Sequence, residues 1–248
     1  MTCLLIGNGY WGSIVYSKLS NFYDLIITAN SKSDIAKIID SSILDIAYVC
    51  TPTITHYDIV KKLILKKINV FCEKPFTGDY FKALDLFELS EKNNVKLYVD
   101  NIFLFRNEFK SLKENFDLNF KKIEFFWYKF DESKKESIID SLLYHDLYLL
   151  FNLTNDKWLV NKFEIDENIL FLQLQQGNKI AEFNYNRNFT NDKLKKITLD
   201  NVNFNFSNPK NDPLSETILN ITKNNLDYNF NKLTTINVLK FINKIKKI

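Results

Sequence analysis

Five short apolar runs, each followed by a segment of helical period, alternate across the first hundred residues, and this alternation constrains the fold more than any other feature. The runs fall at 2–6, 25–29, 46–50, 68–72 and 95–99. Helix-period stretches between them gather their apolar residues on one face: Ile14, Val15 and Leu19; then residues 35–39; then Ile59, Val60, Leu63 and Ile64; then Phe81, Leu84 and Phe87 within 79–92. Strands that are apolar throughout, alternating with helices, indicate a parallel sheet covered on both faces. The reading is a doubly wound α/β unit of the Rossmann kind.

The pattern changes near residue 120. Ile123, Phe125 and Trp127 recur at every second position, and Val202, Phe204 and Phe206 alternate with asparagines. Runs at 169–174 and 180–185 flank Gly177-Asn178 and read as a hairpin. Alternating strands of this sort indicate a mostly antiparallel sheet with one solvated face. One helix is expected over 137–153, and two more, over 214–224 and 234–247, close the chain. The sequence thus divides into a Rossmann domain at 1–119 and an α+β domain at 120–248.

Composition narrows the function classes. The 46% hydrophobic content with 22 Phe and 12 Tyr is ample for two cores, and a net charge of +3 on dispersed lysines argues against nucleic acid. No window approaches ~18 consecutive apolar residues, and no charged segment leads into an apolar one, so neither a membrane span nor a signal peptide is read. Cys3, Cys50 and Cys72 lie in or beside buried strands and read as free thiols of a reducing compartment, here the cytoplasm. No metal is expected.

Three of the chain's five glycines fall at Gly7, Gly9 and Gly12, between the first strand and the first helix. In that context G-x-G-x-x-G is a dinucleotide phosphate loop. The first glycine allows the turn, the second admits the pyrophosphate to the backbone, and the third lets helix and strand pack. Asn8, Tyr10 and Trp11 complete the loop, and the helix N–H groups hold phosphate. A ribose-reading acid is expected about 20 residues on. The end of the second strand instead reads Asn30, Ser31, Lys32, which leans towards NADP over NAD. Lys32 as an ordinary loop lysine is the alternative.

Further motifs accompany the loop. Thr51-Pro52-x-x-x-His56 follows the third run, Glu73-Lys74-Pro75 follows the fourth, His145-Asp146 stands in the 137–153 helix, and Val99-Asp100-Asn101-Ile102-Phe103-Leu104 and Asp212-Pro213-Leu214-x-Glu216 lie beyond. The ordered set resembles the Gfo/Idh/MocA family of NAD(P)-dependent oxidoreductases, in a short form. The resemblance implies that Thr51, Pro52, His56, Glu73 and Lys74 line the cofactor. It implies that Lys74 contacts the reacting oxygen and that His145 gives or takes the proton. A sugar-like substrate follows from it, with a faint similarity to the branch acting on nucleotide sugars, as does a homodimer through the C-terminal sheet. Asn101, Ser141 and Tyr144 are the candidate substrate contacts.

One departure weakens ordinary dehydrogenase chemistry. The family usually places an acid four residues before the histidine, where this chain has Ser141. Asp140 lies roughly 100° further round an α-helix and would need local distortion to substitute. Three readings stay open: an oxidoreductase acting on a carbinol or carbonyl, a catalytically silent dinucleotide-binding sensor or scaffold, and a Rossmann enzyme of unrelated chemistry.

Overall fold

The computed structural model describes residues 1–130, 136–154 and 157–248. Its first five strands are β1 (Thr2–Ile6), β2 (Leu25–Ala29), β3 (Ile46–Val49), β4 (Asn69–Cys72) and β5 (Leu97–Val99). They are separated by α1 (Tyr10–Leu19), α2 (Ile35–Ser41), α3 (Thr53–Leu65) and α4 (Tyr80–Lys92). Every pairing is parallel, in the order β2-β1-β3-β4-β5. The order reverses between β1 and β3, and the crevice outside the strand ends at such a reversal is where open α/β sheets take ligands. Asp34 and Asp79 start α2 and α4, their carboxylates accepting from Lys37 N and from Phe81 N and Lys82 N.

Two details differ from the sequence pattern. β2 is an edge strand, so its Leu25 is more than half exposed, whereas β3 is buried throughout. On α4 the buried face is Ala83, Leu86 and Phe87, and Phe81 points outward.

The second set comprises α5 (Asn107–Glu114), β6 (Lys122–Tyr128), α6 (Tyr144–Leu153), β7 (Leu159–Ile165), β8 (Ile169–Gln176), β9 (Lys179–Asn186), β10 (Leu194–Leu199) and β11 (Val202–Asn205). The sheet order is β11-β10-β6-β9-β8-β7. All of its pairings are antiparallel except the central β6–β9 pair, so the sheet is mixed. The β8–β9 hairpin turns at Gly177, as the spacing predicts, with φ at 60°. Along β6, Ile123, Phe125 and Trp127 are buried, and Phe125 stacks on Phe183 of β9 with centroids 4.7 Å apart. The helix expected over 137–153 begins as a π-helical turn, Ile139–Leu143, before α6.

The division into units differs from 1–119 and 120–248. Met1–Ile102 and Leu214–Ile248 pack together as one unit, and Phe103–Pro213 forms the other. Leu214, Ile218 and Ile221 of α7 (Pro213–Thr222) share a core with Cys3, Leu5, Val15, Tyr48 and Phe71. From α8 (Tyr228–Ile245), the Asn231 amide donates to Val99 O and accepts from Val99 N, both at 2.9 Å. It thereby satisfies the open edge of β5. A change in sequence texture marks where alternating strands begin; it carries no sign that the chain later returns to its first sheet. No described helix is long and apolar enough to cross a membrane.

Candidate active site

β1 delivers the chain to Gly7, whose φ of 107° is the left-handed region that favours glycine. A Cβ there would also lie 2.5 Å from Cys50 O, and one on Gly12 would lie 2.0 Å from Gly7 O. These two glycines are therefore required by the turn and by the close approach of α1. Gly9 differs: a Cβ on it meets nothing within 4 Å, and its backbone is extended. Gly9 is the N-cap of α1 with no side-chain cap, so the first N–H groups and the positive end of the helix open onto clear space. That is the arrangement a pyrophosphate needs, and the loop fits a dinucleotide.

The neighbouring strand ends complete this side of the first unit. Thr51 follows β3, and its hydroxyl accepts from Thr55 Oγ1 at 2.8 Å. The buried His56 joins two loops: Nε2 lies 2.7 Å from Thr51 O, and Nδ1 lies 3.1 Å from both Pro75 O and Phe76 O. Pro52 caps α3. Tyr10 is 86% exposed, while Trp11 is half-buried and donates its indole N–H to Glu73 Oε1. Lys74 is half-buried, follows Glu73 directly, and precedes Pro75 through a cis peptide bond. At the end of β2 the Asn30 side chain is turned on its own loop, accepting from Lys32 N at 2.9 Å, and Ser31 and Lys32 are exposed.

The sequence motifs assign no role to Asp100. In the β4–β5 register Cys72 faces Val99, so the acids that follow those strands, Glu73 and Asp100, are neighbours. Both are buried, and a hydrogen bond joins them. Burial pushes the Glu73 carboxyl up to about 7, with Trp11 and Lys74 opposing. Burial and then the Glu73 charge raise Asp100 well above the carboxylate range. Two adjacent buried carboxyls cannot both ionise cheaply, so the pair holds a proton at neutral pH. Folded values above unfolded ones mean stability that is present below about pH 4 and lost as pH rises through about 7. Glu73→Gln is therefore expected to lose less Tm than the parent between pH 5 and 9, by calorimetry; parallel curves would refute the shared proton. Asn101 is also buried, with Nδ2 donating to Val99 O at 3.3 Å, which makes it a strand-end residue.

In the second unit His145 is half-buried at the start of α6. Its ring meets Phe103 at 4.7 Å and Trp127 at 5.7 Å between centroids. Ser141 is half-buried and tied up: it donates to Ser137 O at 2.8 Å and accepts from Arg187 Nη2. Arg187 is itself buried and also donates to Glu136 O. A guanidinium is thus bound at the position where the family pattern places an acid. The π-helical turn supplies a distortion around Asp140, whose carboxylate accepts from Ser137 Oγ at 2.7 Å. Tyr144, expected on the substrate side, is fully buried and stacks with Tyr148, which makes it core.

Beside His145 lies a group the motifs do not predict. Lys195 of β10 is 1% exposed, and its Nζ is 2.7 Å from Asp146 Oδ1. Tyr185 donates to Asp146 Oδ2 at 3.0 Å. Burial brings Lys195 down to about 8 and raises Asp146, each opposed by the other's charge. The available signal is phase: Lys195 alternates in step with Ile197 and Leu199, so it has to point into the covered face.

A strand–glycine turn–helix opening on free space at the end of a parallel sheet defines a dinucleotide-binding domain of the Rossmann class. Residues 3–101 match the Gfo/Idh/MocA family, described as "Oxidoreductase family, NAD-binding Rossmann fold". The matched stretch, from β1 to the end of β5, is thus similar to the Rossmann fold of that family. An uncharacterized oxidoreductase of Schizosaccharomyces pombe is 31% identical over 78 residues, which span 32% of this chain and 21% of that protein. Two solved structures share the fold over nearly the whole length. UDP-N-acetylglucosamine 3-dehydrogenase from Acidithiobacillus ferrooxidans has TM-score 0.84 at 16% identity, covering 98% of this chain and 96% of that one. A Thermus thermophilus dehydrogenase in complex with NAD and UDP-GlcNAcA has TM-score 0.81 at 13% identity, covering 96% and 93%.

Proposed function

We propose that the chain is an NAD(P)-dependent oxidoreductase that moves hydride between nicotinamide and a carbinol or carbonyl carbon of a sugar-like substrate. The observation that carries this reading is the Trp11–Glu73 hydrogen bond, which joins the glycine loop to the strand end bearing Lys74. When bound, the nicotinamide supplies or accepts the hydride. The Lys74 ammonium stabilises negative charge developing on the substrate oxygen. His145 takes or returns the hydroxyl proton, for which imidazole is suited near neutrality. A nucleotide-linked sugar is supported by the two similar structures, one a UDP-N-acetylglucosamine dehydrogenase and the other a complex with UDP-GlcNAcA. NADP is favoured because Ser31 and Lys32 are exposed and β2 ends without a carboxylate. A homodimer through the second unit's sheet is supported by its open face, where Phe126, Tyr128 and Phe171 are only partly covered.

The arginine on Ser141 favours a second reading, a silent dinucleotide-binding relative of the same family. One experiment separates them. NADPH and NADH are titrated by fluorescence, and turnover is then screened on sugars and nucleotide sugars, with Lys74→Ala in parallel. The enzyme reading expects Lys74→Ala to bind cofactor within about threefold of the parent while turnover falls about 10²–10⁴-fold. Tight binding without turnover on any sugar supports the silent relative, and no binding below millimolar concentration refutes both.

A further inference from the structure

We propose that the buried Lys195–Asp146 pair positions the His145 imidazole, doing by way of aromatic rings what an acid four residues earlier would do directly. The inference rests on the reading of His145 as the proton-transfer residue. Its geometry lies wholly within the second unit. The Lys195 ammonium sits 3.4 Å from the Trp127 ring centroid and 4.6 Å from that of Phe103. Both distances are well inside cation–π range for a desolvated site. These are the two rings that His145 touches, Phe103 edge-on at 75° and Trp127 tilted at 44°. Arg106 adds a second cation 4.2 Å from the Phe103 centroid, with Nη1 donating to Phe206 O at 2.8 Å. Phe103 is thus held by two cations and Trp127 by one.

The other partner of the pair acts through the helix. Asp146 is the residue after His145, about 100° round α6. Lys195 at 2.7 Å and Tyr185 at 3.0 Å fix the azimuth of Asp146, and with it the direction in which His145 leaves the helix. One ion pair therefore sets both the helix rotation and the ring wall against which the imidazole rests. Stability gives no sufficient reason for such a pair, since well-packed apolar residues of similar volume replace buried ion pairs at little cost. The expectation is that charge here fixes a side-chain position. Lys195 and Asp146 are positioning residues and touch no reacting atom.

The chain has two histidines, His56 and His145, so its imidazole Cε1–H spectrum holds two resonances, each assignable by one His→Asn variant. In the parent, the Phe103 and Trp127 ring currents displace the His145 signal from its position in the unfolded chain. Lys195→Met with Asp146→Asn removes both charges and leaves no lone buried ion. In a double variant with native far-UV dichroism, the His145 signal is expected to move towards its unfolded position while His56 stays. Both signals staying in place would overturn the proposal. Where the double variant does not fold, Tyr185→Phe, which removes one hydroxyl, decides the question: a displaced His145 signal supports the positioning role, and an unmoved one refutes it. The spectrum is read without substrate. Absence of turnover in the parent would therefore overturn the proposed function, while the His145 signal still decides this inference.

Discussion

A Gly9→Asp variant is expected to melt at or about 2 °C above the parent and yet to lose at least about 100-fold in affinity for NADPH or NADH, about 3 kcal/mol. Two physical effects act in opposite directions at one residue. Gly9 has ordinary extended dihedrals and open space around its absent Cβ, so the fold tolerates a side chain there. Aspartate is also among the better N-caps, and a carboxylate favours the positive end of α1. Those same N–H groups are the ones a pyrophosphate would occupy, and a fixed carboxylate would both fill that space and repel the phosphates. Gly12→Ala is the contrasting control. Its Cβ would fall 2.0 Å from Gly7 O, so turn and helix must separate, at about 1–3 kcal/mol of stability. Differential scanning calorimetry with fluorescence titration reads both quantities. A Gly9→Asp chain that binds cofactor like the parent would remove the phosphate-loop assignment.

The second large effect is on stability. Asp146→Ala is expected to destabilise the protein by about 3–5 kcal/mol, because it strands the Lys195 ammonium in a site 1% exposed. Adding Lys195→Met should recover most of that loss, since the stranded ammonium is then gone and the buried Arg106 guanidinium keeps the Glu108 charge near it. The sign of the pH response follows from Lys195, whose folded value is brought down to about 8 by burial. A cation with a depressed folded value costs stability while it stays protonated, and the cost disappears as it neutralises. Removing Asp146 also removes the contacts that hold the Lys195 value up, so Lys195 in the variant neutralises below about 8, and the Asp146→Ala deficit should narrow as pH rises towards about 8 and level off above it. Urea denaturation at several pH values measures this. A deficit under about 1 kcal/mol, or one that grows with pH, would contradict the buried-charge account.

The readable parts of the site are those in which adjacent residues carry the chemistry. Gly7, Gly9 and Gly12 can be placed because a strand, a turn and a helix follow one another without interruption. Asp100 and Lys195 carry no such local signature. Glu73 meets Asp100 through the register of β4 and β5, across 27 positions, and Lys195 meets Asp146 across 49. Ser141 is legible as a departure from the family pattern, but the buried guanidinium that holds it from β9's far end is not. Tyr144 reads as a substrate contact from its place beside His145, and the helix turns it into the core.

By itself, the sequence determined the parallel sheet, the glycine loop, the β8–β9 hairpin and the strand ends where Lys74 and Thr51 stand. Hydrophobic period and glycine conformation act over a few residues and are written along the chain. Tertiary structure alone decided the return of α7 and α8 to the first sheet, the shared proton of Glu73 and Asp100, and the ion pair behind His145. Each depends on which distant segments bury the same volume, and desolvation there, rather than residue type, sets what a carboxyl or an ammonium does.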